Sequence, residues 1–196
     1  MNRRIRVCCH LMMALAIAQA SLAQSAPETQ SGDAMLQMLY EKGLVPTKVT
    51  SHVGALVDRT RVLASDMVMS AINFLGVPYR RGGNDADDGF DCSGFTRHVF
   101  ENSLGLLLPR RADQQAQASN LEAVQRDQLR PGDLVFFNTM RRAFSHVGIY
   151  VGDGKFIHSP RAGGQVRIED MRQAYWAKRF NGARRADLDA AQAATH

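Results

Sequence analysis

Cysteine is scarce in this 196-residue chain: Cys8 and Cys9 stand at the N-terminus, and only Cys92 lies in the body. The sequence has no apolar run of the roughly 20 residues a membrane-spanning helix needs. It also has no internal repeat and no low-complexity tract, which argues against solenoid and fibrous architectures. The length suits one domain with a real core plus extra sequence at its ends, so a single functional site is expected.

The N-terminus reads as a secretory signal. Arg3, Arg4 and Arg6 form a basic start, Val7 to Ala18 is a short apolar stretch, and Ala20-Ser21-Leu22-Ala23 offers small residues for cleavage after Ala23. The apolar stretch is too short for an anchor, and Cys8 and Cys9 precede it, so they cannot carry the lipid of a lipoprotein. Removing residues 1–23 takes away three arginines and no acid, lowering the formal charge from +5 to +2. The remaining charge gives weak attraction to an anionic wall and makes nucleic acid a poor partner. Cleavage also leaves Cys92 alone, with no intramolecular disulfide open to it. An unpaired thiol in an oxidising compartment is a liability unless it is buried or used.

Residues 24–64 read as a leader of unassigned role, polar at first and carrying a short helical pattern over Asp33–Tyr40. The main domain is expected over residues 65–185, with a flexible tail at 186–196. A helix is predicted to begin at Ser65-Asp66, with Val68, Ala71, Ile72 and Leu75 at helical spacing, and to stop at Gly76 and Pro78. The glycine-rich acidic stretch from Tyr79 to Gly89 reads as a loop, and a second helix as opening at Asp91-Cys92-Ser93 and running to about Asn102. A polar helical stretch is expected over Gln114–Glu122. Leu134–Phe137 has the composition of a buried strand, His146–Val151 and Lys155–His158 form a hairpin around Gly152-Asp153-Gly154, and Gln165–Ile168 makes a further strand. A closing helix is expected over Met171–Phe180. Helices followed by strands imply an α+β domain, with the Cys92 helix packed on an antiparallel sheet.

Cys92 at a helix start meets unpaired backbone N–H groups and the positive end of the helix dipole. Both favour the thiolate and would also stabilise an oxyanion. A nucleophilic cysteine needs a base near neutral pH, and histidine suits that task. His10 leaves with the signal, His196 is terminal, His52 lies in the leader, and His98 sits about 600° around the helix from Cys92, facing away. His146 and His158 remain. With a three-residue hairpin loop Gly148 pairs with His158, and His146 becomes its diagonal neighbour on the same face. A two-residue loop puts the rings on opposite faces unless a bulge intervenes. Cys92 as a small buried hydrophobe, strand histidines as structural residues, and a zinc site lacking an evident fourth ligand are the competing readings.

The segments Val77-Pro-Tyr-Arg-Arg-Gly-Gly, Phe90-Asp-Cys-Ser-Gly-Phe, Leu108-Pro-Arg, Pro131-Gly-Asp-Leu-Val-Phe-Phe, Ser145-His-Val-Gly-Ile-Tyr-Val-Gly and Lys155-Phe-Ile-His-Ser resemble the NlpC-type family of bacterial cell-wall cysteine peptidases. They occur in the family's order over about residues 66–185. The ending Tyr175-Trp-Ala-Lys-Arg-Phe-Asn-Gly-Ala-Arg-Arg is similar to the Spr (MepS) branch of Gram-negative murein endopeptidases. The resemblance implies a papain-like α+β fold with Cys92 as nucleophile, His146 as base and His158 as the third polar residue. It also implies that Tyr79 helps bind substrate or the oxyanion, and that Asp91 and Ser93 line the site. No metal or organic cofactor is implied. The implied substrate is the peptidoglycan stem peptide, cut at the D-Ala to diaminopimelate crosslink or at the D-Glu to diaminopimelate bond, in the periplasm or outside the cell. A non-catalytic wall-binding protein on the same fold is the alternative of a different class. Two features depart from the family pattern: Tyr79 lies thirteen residues before Cys92, one more than in the Spr branch, and Arg111-Ala112 stand where small hydroxyl residues are usual.

Overall fold

A computed structural model describes residues 47–139 and 141–187. The signal segment, the helical pattern at Asp33–Tyr40 and the residues from 188 onward lie outside the described residues. The chain divides into two units, Met1–Thr50 and Ser51–His196, and the sheet, the core and the site residues all lie in the second. Among the described residues no helix is long and apolar enough to cross a membrane.

Helix α1 spans Thr47–Ile72, so it starts well before Ser65. No proline interrupts residues 47–72, and propensity alone permits the extension. Ser65 marks instead where the helix begins to pack: Met67 and Ala71 are buried, whereas Asp58 to Val62 are exposed. The expected stop holds, since the helix ends before Gly76.

Helix α2, Cys92–Leu104, follows a short hairpin of β1 (Asn84–Asp85) and β2 (Gly89–Phe90), which replaces the featureless loop expected there. Asp91 caps α2 by accepting from the Gly94 N–H at 2.8 Å, and Gly105, with φ 65°, ends it in the left-handed conformation. Phe95, Val99 and Phe100 form its buried face. A Cβ on Gly94 would lie 2.0 Å from the Gly83 carbonyl oxygen, so only glycine lets the loop close over the start of this helix.

The rest of the chain builds a six-stranded antiparallel sheet. Its strands are β3 (Leu121–Val124), β4 (Leu134–Phe137), β5 (His146–Gly152), β6 (Lys155–His158), β7 (Arg167–Asp170) and β8 (Phe180–Ala186), in the order β3-β8-β4-β5-β6-β7. Leu134 and Phe136 join the core beneath α2, with Val147, Ile149 and Ile157. Val135 and Phe137 join a second core on the opposite face, with Phe156, Met171, Trp176 and Ala183. Burial on both faces accounts for the unbroken apolar run of β4. The α+β architecture with the Cys92 helix on an antiparallel sheet is as the sequence implied.

Three expected elements differ. The helical stretch at Gln114–Glu122 is a single turn, α3 (Ala112–Gln115), followed by strand β3. The strand expected at Gln165–Ile168 lies two residues later, with Gln165 making only an isolated bridge to Pro78. The closing helix is also one turn, α4 (Ala174–Ala177), and residues 180–186 form β8 between β3 and β4. That segment, Phe-Asn-Gly-Ala-Arg-Arg-Ala, lacks β-branched residues. Its place comes from pairing on both sides and from Arg185, which grips the buried Asp133 carboxylate at 2.8 Å through two nitrogens.

Candidate active site

Cys92 is the first residue of α2 and is half-buried. The backbone N–H groups of Ser93 and Val147 point at its sulfur. Val147 follows His146, so the thiol meets the sheet where β5 begins. The Asp91 side of the thiol is densely tied. Arg110 clamps the Asp91 carboxylate at 2.6 and 2.9 Å, reaches the Ser93 hydroxyl oxygen at 3.0 Å, and extends toward the Gly83 carbonyl. The Gly82 N–H adds a further bond to Asp91 at 3.0 Å. Asp91 and Ser93 thus flank Cys92 with their polar atoms engaged in holding the helix start. Arg110 belongs to the Leu-Pro-Arg segment, which is the one sequence signal that could have singled it out.

On the sheet, His146 and His158 meet: His146 Nε2 lies 2.7 Å from His158 Nδ1, with the rings at 87°. The hairpin loop has two residues, since Gly152 pairs with Lys155. A bulge at Val151 then shifts the register so that Tyr150 faces Phe156 and Ile149 faces Ile157. The bulge restores the same-face geometry that a two-residue loop would otherwise destroy. Gly148 makes room for it, because a Cβ there would lie 2.7 Å from the Ile157 carbonyl oxygen and 3.0 Å from His158 Cβ.

Both histidines are enclosed by aromatic rings. Trp176 stacks on His146 and stands edge-on to His158, and Phe137 and Phe156 flank the pair. Burial pushes the pKa of His146 well below its ordinary value, helped by His158 and opposed by the Glu169 carboxylate. Burial likewise lowers that of His158 against the pull of Glu169. Both rings are therefore neutral at neutral pH. With Nε2 facing His158, His146 keeps Nδ1 for another partner. His98, partly buried on α2, packs edge-on against Phe74.

The thiol differs from expectation. The helix start should lower its pKa, yet burial, and then the Asp91 charge, push it up to about 11, outweighing the Val147 and Ser93 N–H groups and Arg110. Cys92 therefore rests as a thiol rather than as a thiolate at neutral pH.

Tyr79 is held by its N–H to the Gly164 carbonyl at 2.8 Å and by a bridge to Phe90. Burial raises its phenol pKa, with further upward contributions from Cys92 and Asp91. Of the two departures, Arg111 is exposed and paired with Asp113 at 2.7 and 3.0 Å, while the longer loop is knotted by an Arg80–Asp88 ion pair and by the Asp88 N–H bond to Asp85. Sequence reasoning missed Glu169 and Trp176, which lie against His158 and carry no local signal of that role.

Comparison with known proteins places the chain among relatives of one family. The chain is 43% identical over 110 residues to the Murein DD-endopeptidase MepS/Murein LD-carboxypeptidase of Escherichia coli (strain K12), covering 56% of each chain. It is 37% identical over 163 residues to the Gamma-DL-glutamyl hydrolase of Bacillus subtilis (strain 168), covering 78% of this chain and 39% of that one. It therefore spans about half or less of the length of these relatives. The crystal structure of an NlpC/P60 family protein from Bacillus cereus ATCC 10987 superposes with a TM-score of 0.57 at 38% identity, over 63% of this chain and 40% of that one. The NlpC/P60 family model matches residues 76–185, the stretch that holds Tyr79, Cys92, Arg110, His146 and His158, and the chain belongs to the NlpC/P60 family.

Proposed function

We propose that this protein is a peptidoglycan endopeptidase working by covalent cysteine catalysis, with Cys92 as nucleophile, His146 as base and His158 orienting that base. The observation that carries the reading is the 2.7 Å contact between His146 Nε2 and His158 Nδ1, next to the Val147 N–H that reaches the Cys92 sulfur. His146 Nδ1 takes the thiol proton as sulfur attacks the stem-peptide carbonyl carbon. Backbone N–H groups at the start of α2 and the Tyr79 hydroxyl are the donors proposed for the oxyanion. The protonated His146 passes its proton to the leaving amine, and the C–N bond breaks to give a thioester. Water then attacks, His146 takes its proton, and the C–S bond breaks to restore the thiol.

The D-Ala to diaminopimelate crosslink is the favoured bond. Its support is the Spr-like ending around Tyr175 and Trp176 and the name of the MepS relative. The γ-glutamyl hydrolase relative favours the D-Glu to diaminopimelate bond as the second reading. Export to the periplasm forms part of the proposal, supported by the basic, apolar and small-residue sequence of residues 1–23. The test is incubation of the mature protein and its Cys92→Ala variant with purified sacculi and defined muropeptides, followed by mass spectrometry. Loss of crosslinked dimers only with Cys92 supports the crosslink reading, and cleavage within uncrosslinked stems moves it to the D-Glu bond. Absence of product from both proteins points to a wall-binding role and overturns the enzyme.

A further inference from the structure

The polar contact between His146 and His158 has a further neighbour beyond His158. His158 is wholly buried, and its Nε2 has no hydrogen-bond partner within normal range. The group it faces is the carboxylate of Glu169, with Oε2 3.4 Å away. Glu169 lies on β7 opposite Phe156, one diagonal step from His158, whose own partner is Arg167. The carboxylate is itself fixed. The Trp176 indole N–H donates to Oε2 at 2.6 Å, and the Arg167 guanidinium pairs with Oε1 at 2.5 Å. The tryptophan that stacks on His146 thus also holds the carboxylate that faces His158.

We propose that Glu169 is a positioning residue that selects the working tautomer of both histidines, extending the Cys92–His146–His158 set into a four-member relay. The effect follows from where each proton sits. At 3.4 Å a carboxylate repels an imidazole lone pair and attracts an N–H, so His158 carries its proton on Nε2. Its Nδ1 is then an acceptor, and the 2.7 Å contact requires His146 to donate from Nε2. That leaves a lone pair on His146 Nδ1, the nitrogen needed to take the Cys92 proton. The opposite tautomer of His158 would donate from Nδ1, place the His146 proton on Nδ1, and remove the base. When His146 becomes cationic during attack, the Glu169 charge stabilises it through the same chain.

The inference rests on the catalytic reading for its rate effect, but its central claim is read without any peptidoglycan. Glu169→Gln keeps the shape while offering one acceptor oxygen to three donors: Trp176, Arg167 and His158. Glu169→Asp keeps the charge. Imidazole nitrogen NMR of the ¹⁵N-histidine full-length Cys92→Ala protein should show His146 and His158 both protonated at Nε2, a pattern lost in Cys92→Ala/Glu169→Gln. With Cys92 present, Glu169→Gln should lower kcat on muropeptides about tenfold with little change in KM, and Glu169→Asp should recover part of it. The acidic limb of Cys92 alkylation by iodoacetamide should move to lower pH in Glu169→Gln. His146 and His158 are faced by Glu169 and Arg167, and the thiol by Asp91, Arg110 and Tyr79; only Glu169 is altered in this comparison. A wild-type His158 protonated at Nδ1, or an unshifted limb in a folded Glu169→Gln protein, overturns the proposal. Correct tautomers in a protein inert on every muropeptide would sink the proposed function and leave the relay standing.

Discussion

The two halves of the site are built by opposite means. Cys92, the proposed nucleophile, stands in a polar frame, where Asp91, Ser93, Arg110 and the Gly82 and Gly94 N–H groups hold the start of α2 through charge and hydrogen bonds. His146, the proposed base, is buried in an aromatic frame of Phe137, Phe156 and Trp176. The two are joined by Ser159, at the end of β6, whose hydroxyl donates to the Phe90 carbonyl at 2.7 Å, two residues before Cys92. A polar frame sets position through few strong bonds and leaves the thiol's neighbours charged. An apolar frame keeps the histidines neutral and fixes their rings by packing.

The sharpest test of this contrast compares truncation on each side. Cys92→Ala and His146→Ala should each lower turnover at least about a thousandfold. Stability separates them: Cys92→Ala should leave the denaturation midpoint nearly unchanged, whereas His146→Ala opens a cavity among aromatic rings and should cost about 2–3 kcal/mol. Equal losses of stability would mean the two frames are not mechanically different.

Close backbone approach comes next. Gly94→Ala drives a Cβ to 2.0 Å from the Gly83 carbonyl oxygen, and Gly148→Ala drives one to 2.7 Å from the Ile157 carbonyl oxygen. Both should cost about 2–3 kcal/mol in urea unfolding. Only Gly148→Ala should also disturb the imidazole NMR signals of His158, because that Cβ would press on its own at 3.0 Å.

A smaller effect is expected at Arg110. Arg110→Met leaves the Asp91 carboxylate without its cation, costs about 1–2 kcal/mol given its partial exposure, and raises the Cys92 pKa further, since Arg110 now lowers it. Thiol alkylation at fixed pH should slow, while the acidic limb set by His146 should not move.

The smallest effect is a dome in stability against pH with a different group on each side. His146 and His158 have depressed pKa values in the fold, so below about pH 6.5 the unfolded chain binds more protons and stability falls with falling pH. Cys92 has a raised value, so between its unfolded pKa of about 8.5 and its folded value of about 11 the folded chain holds the extra proton and stability falls with rising pH. Thermal melts of Cys92→Ala should lose part of the alkaline fall and keep the acidic one.

The nucleophile side was legible because its signals are local. Asp91 before Cys92 is a helix start, and the chemistry of a lone thiol narrows the search for its partners. The base side was legible only in part. His146 and His158 could be chosen by elimination, but their meeting depended on loop length, and the structure meets it by a bulge at Val151 within a two-residue turn. Arg110, nineteen residues from Asp91, was visible as a motif but not as a clamp.

The sequence by itself determined the α+β class, the Cys92 helix and the apolar strand β4, because each rests on periodicity, capping or the chemistry of a side chain, and its motifs singled out Cys92, His146 and His158 as candidates. The tertiary structure decided the rest. Strand β8 forms from Ala183, Arg184 and Arg185 because two neighbouring strands and the buried Asp133 accept it, and propensity gives no hint of that. The thiol pKa rises because burial outweighs the backbone N–H groups that reach the sulfur, and burial belongs to the whole fold. Glu169 faces His158 only because β6 and β7 pair in one register, bringing together residues that the chain keeps eleven positions apart.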